Sequence, residues 1–162
     1  MDAKFFDPNR QEDDFQIEID YDGQWYHRGS PITRHRLSEL FSTALHYNEA
    51  KNEYWLVTPH EQGRVKVTDA PYIVTDFNWD VDAGTLELKT NLNHVVTPDG
   101  RHTITITNNV PYCLIKNSVR ARINRSVREK LIDIALKQNG YDDATGELIL
   151  NANGFDHVIA RS

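Results

Sequence analysis

The sequence predicts an α+β fold of two similar halves, each mainly antiparallel strands packed on one helix. Three observations carry this expectation. Short runs of alternating apolar and polar residues are bounded by Asp-Gly, Asn-Asn and Pro-Asp-Gly steps, the pattern of half-buried strands joined by tight turns. Two longer runs, around 35–47 and 126–138, instead carry apolar residues at helical spacing. Sliding the chain by 91 places superimposes these two helical runs without a gap. Ile32, Arg34, Leu40, Ala44, Leu45 and Asn48 then fall on identical residues, six identities in seventeen positions. We read an internal duplication of a strand–helix–hairpin unit; two unrelated segments sharing a period are the alternative.

Taken in order, residues 1–14 are polar and acidic, contain Pro8 and show no apolar period, so they are expected to form a mobile arm. Phe5 and Phe6 are the two groups able to pin it to the body. Residues 15–76 make the first half. Phe15, Ile17, Ile19 and Tyr21 alternate as a strand, and Asp22-Gly23 turns it into a return strand at Trp25–Arg28. Gly29-Ser30-Pro31 breaks the sheet. A helix is expected from there to about Tyr47, because Leu37, Leu40, Phe41, Ala44 and Leu45 form one stripe. A hairpin follows, Glu53–Thr58 and Arg64–Thr68, until Pro71 removes a ladder donor.

Residues 77–162 make the second half. Leu86 and Leu88 alternate in a strand after the turn Asp82-Ala83-Gly84, and His102–Thr107 and Tyr112–Ile115 read as further strands. A helix is expected from about Ser126 to Gln138. Ser126 and Glu129 have the spacing of a capping box, and Asn139-Gly140 of a left-handed cap. Glu147–Leu150 and Phe155–Ala160 close the chain as a last hairpin.

Composition narrows the class. A chain of 162 residues buries roughly 70% of its unfolded surface and needs no metal or disulfide staple. No apolar run is long enough to span a bilayer. The start, MDAKFFDPNRQEDD, lacks the basic and apolar regions of a signal peptide. The lone Cys113 excludes an internal disulfide and Cys-rich metal sites. A cytoplasmic protein is expected. The net charge of -6 argues against nucleic-acid binding, although it is uneven. Eight acids lie within residues 1–24, whereas Lys116, Arg120, Arg122, Arg125, Arg128 and Lys130 cluster in 116–130. Mutual attraction of these segments is the simpler reading.

The candidate chemistry centres on the basic turn Arg28, Arg34, His35 and Arg36 at the start of the first helix. Unpaired N–H groups and the helix dipole there suit a phosphate or carboxylate. Solvated cations, or cations paired with the acidic arm, are the alternative. Arg125 and Arg128 repeat the theme at the second helix. The loops at Thr58, Pro59 and Glu61, and at Asn91 and Asn93, offer polar groups. The histidines never stand at the i, i+4 spacing of metal ligands. Asn78, Asp80 and Asp82 mimic a calcium loop until Ala83 and Lys89 break the pattern. No phosphate-binding glycine loop and no nucleophile elbow is present, and no cofactor is indicated.

Trp25-x-x-x-Gly29-Ser30-Pro31-Ile32-x-Arg34, Leu37-x-x-Leu40-Phe41, Tyr54-x-Leu56-Val57-Thr58-Pro59-x-Glu61 and Asp69-Ala70-Pro71-Tyr72 together resemble the bacterial family known as domain of unknown function 1285. Thr90-Asn91 and Pro111-Tyr112 fit the same pattern, which spans roughly residues 17–160. The chain departs at Arg125-Ser126, where the family has Arg-Pro. The resemblance implies two similar subdomains, the C-terminal one loosely pleckstrin-homology-like. It also implies a site between them for a nucleotide-like ligand and a role in signalling. The leading expectation is therefore a binding protein for a small anionic ligand held between the halves. Arg28 and Arg34, with Arg125 as their counterpart, would meet the anion. Trp25 or Tyr72 would stack on a ring, and Glu61, Asp69, Asn91 and Asn93 would select polar groups. A protein-interaction adaptor with a signalling partner is the second expectation. A hydrolase or transferase is the third, without an aligned nucleophile–base pair to support it.

Overall fold

Alternation from Ile17 onward produces short strands because each buries one face and hydrates the other. A computed structural model describes residues 6–116 and 118–162. Phe5, expected to help pin the arm, lies outside the described residues. The chain divides into two compact units, 1–71 with 116–119, and 72–115 with 120–162. Phe77, where the second half was expected to open, lies inside a strand of the second unit.

In the first unit β1 (Ile17–Ile19), β2 (Trp25–His27) and β3 (Ser30–Pro31) form a meander, followed by α1 (His35–Ser42) and a second meander, β4 (Leu45–Asn48), β5 (Glu53–Val57) and β6 (Gln62–Val67). The sheet order is β3-β2-β1-β6-β5-β4, antiparallel except where β1 runs parallel to β6. Ile19, Trp25, Leu45 and Val57 are buried side chains of its strands. Each such side chain contributes about 1.5–3 kcal/mol by leaving water. Gly29-Ser30-Pro31 does not break the sheet: Ser30–Pro31 is its edge strand, the place where a residue without an N–H is tolerated.

The helix expected to reach Tyr47 stops at Ser42. The hydroxyls of Ser42 and Thr43 donate to the carbonyls of Glu39 and Leu40, both at 2.6 Å, and satisfy acceptors that a further turn would have used. Leu45–Asn48 then pairs with β5, Leu45 opposite Leu56 and Tyr47 opposite Tyr54. Helical spacing in the sequence thus continues into a strand.

In the second unit β7 (Tyr72–Asp80), β8 (Thr85–Thr90) and β9 (Val95–Val96) form one meander, and β10 (Ile104–Thr107), β11 (Val110–Lys116) and β12 (Val119–Ile123) the next. Their sheet order is β10-β11-β12-β7-β8-β9, with β12 parallel to β7. α2 (Arg125–Lys137) follows, then a three-stranded sheet of β13 (Tyr141–Asp142), β14 (Glu147–Ala152) and β15 (Phe155–Arg161). α2 buries Val127, Leu131 and Ala135. Its cap is Asn124, whose side chain accepts from the Val127 amide at 2.9 Å, in place of the expected Ser126 box. Asn139 holds the expected left-handed conformation, φ 58°.

The two halves are similar strand for strand. Reading β7–β12 against β1–β6 gives the same order and the same single parallel pair. The helices break this correspondence: α1 lies between the third and fourth strands, whereas α2 follows the sixth. The shift of 91 that superimposes the helices is therefore not the register in which the sheets repeat.

Candidate functional site

The short α1 leaves its apolar stripe uncovered. Leu37 and Leu40 are 38% and 54% exposed, unusual for leucines on a helix's inner stripe. They form one wall of a groove of about 510 Å³ within the first unit, together with Phe41 and Ala44. Phe15 and Ile17 supply the opposite apolar groups, with Ile32 and Leu56 completing the lining. The polar residues on it are His27, Thr58 and Glu61. A groove of this size, largely apolar with a few polar groups, is typical of small-molecule sites.

The start of α1 adjoins this groove, since Ile32 and Leu37 on either side of it both belong to the lining. Arg34 occupies the N-cap position without a side-chain capping bond, and the first turn holds no acid. Arg28 sits in a turn at φ 51°. Among the described residues, none pairs with the guanidinium of Arg28 or Arg34. Thr58 shapes the neighbouring rim. Its amide donates to the Glu61 carbonyl at 2.8 Å, and its hydroxyl accepts from the Glu61 amide at 2.9 Å.

The remaining sequence-predicted residues fall elsewhere. Trp25 is 1% exposed, with its ring 6.3 Å from Phe41, so it lies behind the groove rather than in it. Tyr72 is 2% exposed at the start of β7, 5.9 Å from the His94 ring. Asn91 accepts from the Ile73 amide at 2.9 Å and pins the end of β8 to β7, while Asn93 turns the chain at φ 59°. Arg125 is largely exposed and pairs with Glu129 at 3.1 Å. Asp69 is half-buried just before Pro71. Thr58 and Glu61 line the groove with residues of α1, while the Pro59 carbonyl accepts from Arg10; Tyr72, Asn91, Asn93 and Arg125 belong to the second unit.

Sequence reasoning missed Gln62. Its amide, 1% exposed, holds the acidic stretch that was expected to be mobile. Gln62 Oε1 accepts from the Asp7 amide at 3.0 Å and from Arg10 Nη2 at 2.8 Å. Phe6 stacks on His46 at 4.7 Å and meets Trp55 edge-on at 5.3 Å. Burial holds the His46 imidazole below its ordinary range. Glu12 accepts from Arg64 Nε at 2.7 Å, and that bond holds its carboxyl below the usual range. No signal in the sequence distinguishes Gln62 from an ordinary turn residue.

Other candidates have structural roles. Asp80 Oδ1 accepts from the Asp82 and Ala83 amides at 3.0 and 3.1 Å, so the calcium-like run is a hairpin turn. Among the described residues, no group of three or more His, Cys, Asp or Glu side chains is placed to hold a metal. Burial, with a smaller contribution from Asp99, pushes the Cys113 thiol up to about 12. No helix among the described residues is long and apolar enough to cross a membrane.

The fold thus defines a two-unit α+β protein with a largely apolar groove in its first unit. Residues 4–70 match the N-terminal domain, and residues 71–159 the C-terminal domain, of the family of unknown function DUF1285. The chain belongs to that family. A solved DUF1285 family protein from Silicibacter pomeroyi is 24% identical, with a TM-score of 0.77 over 91% of this chain and 81% of that one. A second, from Shewanella baltica, is 22% identical, with a TM-score of 0.62 over 73% and 91%. These likenesses extend to the fold. A search of curated proteins finds no match.

Proposed function

We propose that this protein binds a small anionic, nucleotide-like ligand without transforming it, and that the groove of the first unit is its site. The observation carrying this reading is the groove of about 510 Å³ with the start of α1 and Arg34 at its edge. An apolar slot takes a planar base. Free N–H groups and guanidinium groups at a helix start take a phosphate. The carboxylate of Glu61 is suited to sugar hydroxyls, which donate to it. Arg28 and Arg34 are the residues assigned to the anion, and Thr58 and Glu61 to polar selection. Binding without turnover is what a signal-reading protein requires, and the free thiol of Cys113 suits the cytoplasm. The two bacterial relatives favour a bacterial setting.

A thermal-shift screen against mono-, di- and cyclic nucleotides tests the proposal. A ligand at a hundred times its Kd adds about 2.7 kcal/mol to the folded state, which raises Tm by several degrees. The shift is expected to vanish in Arg34→Ala and in Leu40→Glu, which places a charge in the groove. A shift that survives both substitutions puts the ligand elsewhere. No shift with any nucleotide favours a protein partner on the exposed Leu37 and Leu40 instead.

A further inference from the structure

We propose that residues 7–15 form a strap that holds one rim of this groove, so that its fastening or release sets how quickly a ligand leaves. The inference rests on the groove reading and adds its regulation. The rim is the loop from Thr58 to Gln62, and the strap grips it at both ends. At one end Arg10 Nη1 donates to the Pro59 carbonyl at 2.9 Å. At the other, the Gln62 side chain joins the strap through four further contacts besides its bond to Arg10 Nη2. Its Oε1 accepts from the Asp7 amide at 3.0 Å and from Arg10 Nε at 3.2 Å, and its Nε2 donates to the Asp7 and Arg10 carbonyls at 2.6 and 3.5 Å. The Asp13 amide donates to the Gln62 carbonyl at 2.8 Å. Thr58, next to the first grip, and Glu61, between the two, are the residues by which the loop lines the groove.

The strap also carries part of the groove wall. It runs directly into Phe15, which packs against the bare Cα of Gly63. A Cβ at Gly63 would collide with the Asp13 carbonyl oxygen and stand 2.8 Å from the Phe15 ring. Rim, strap and wall therefore move together. The strap is not a paired strand, because ladder pairing begins at Ile17; its one backbone bond to the sheet is that of Asp13 at the first residue of β6, and most of residues 7–14 are exposed. It can lift without unpairing a strand. Its fastenings are mostly side-chain bonds on an exposed segment, where water can take over the partners, and local openings of this kind commonly limit ligand release.

The test uses 1-anilinonaphthalene-8-sulfonate, whose fused rings and sulfonate match an apolar groove beside an anion site. Stopped-flow dissociation of the bound probe is measured for the full chain, for Leu40→Glu, and for the strap variants Arg10→Ala, Gln62→Ala and Gly63→Ala. Leu40→Glu is expected to abolish binding. Arg10→Ala is expected to raise the off-rate about tenfold with little change in on-rate, since perturbations of one site act mainly on release. Gln62→Ala and Gly63→Ala should do the same or more. Arg161→Ala, in the second unit, should leave the rate unchanged. Because Gln62 is buried and its variant can fail to fold, the surface substitution Arg10→Ala decides the matter. Probe that binds through Leu40 yet leaves at the wild-type rate from Arg10→Ala overturns the strap and spares the groove. Probe that ignores Leu40→Glu overturns the groove, and the strap with it.

Discussion

Gln62 and Cys113 illustrate how far a side chain's role depends on neighbours distant in sequence. Gln62 stands in a polar turn, Pro59-His60-Glu61-Gln62-Gly63, that reads as solvated. Only its partners Asp7 and Arg10, some fifty residues away in the chain, make it a buried latch. Trp25 shows the converse: an aromatic that looks like a stacking platform is core, buried with its ring against Phe41 of α1. Cys113 was legible, since the apolar run Tyr112–Ile115 announces burial. Its raised pKa has a definite sign. The fold prefers the protonated thiol, so this contribution to stability is complete below the ordinary thiol range and drains away as pH rises towards about 12. At neutral pH the native protein is expected to react negligibly with a thiol reagent such as dithiobisnitrobenzoate, and to release one equivalent of chromophore in denaturant. Prompt labelling of the native protein would show that β10 and β11 open around Cys113.

Elements were legible where local chemistry decides them and obscure where partners do. α2 ends where Asn139-Gly140 says it should, because Asn139 takes the left-handed conformation and the Gly140 amide donates back to the Ala135 carbonyl at 2.9 Å; a side chain on Gly140 would meet the Ile149 carbonyl. α1 ends early although its apolar period continues, because Leu45–Asn48 gains a ladder with β5 that no helical spacing reveals. The hairpin of β14 and β15 supplies the sharpest prediction at this scale. At its turn Asn153 takes φ 55°, a conformation asparagine tolerates, and its side chain bonds the backbone of two other segments. Asn153 Oδ1 accepts from the Leu86 amide at 2.9 Å, while Nδ2 donates to the Leu86 and Pro98 carbonyls at 3.0 and 2.8 Å. Asn153→Ala removes all three bonds and leaves backbone groups unsatisfied. A loss of about 2–3 kcal/mol is expected, read as a lower urea midpoint with an unchanged slope. A loss below about 0.5 kcal/mol would mean that water replaces the amide without cost.

At the scale of the molecule, the sequence pattern reveals two halves and a stop at Pro71, but not which strands are neighbours. Alternation says that a strand exists; it does not say whether β1 pairs with β6 or β7 with β12. The identities at a shift of 91 accordingly match two helices that occupy different places in otherwise equivalent sheets. Chain order conceals a second feature, that the first unit is discontinuous and includes Lys116–Val119. Within that unit Lys116 Nζ donates to the carbonyls of Ser42 and Thr43 at 3.0 and 3.3 Å, at the C-terminal end of α1. A cation is favoured there because the last carbonyls lack helical donors and carry partial negative charge. Lys116→Met keeps the aliphatic stem and removes the ammonium, so its effect isolates these bonds. Trp25 and Trp55 lie in the first unit and Trp79 in the second, so a Trp79→Phe background makes tryptophan fluorescence report on the first unit alone. In that background Lys116→Met is expected to lower the stability of the first unit by about 1 kcal/mol, less than a fully buried charge-assisted bond because water competes at this partly exposed site. An unchanged urea midpoint would show that α1 ends where it does through Ser42 and Thr43 alone, without help from a residue 74 positions away.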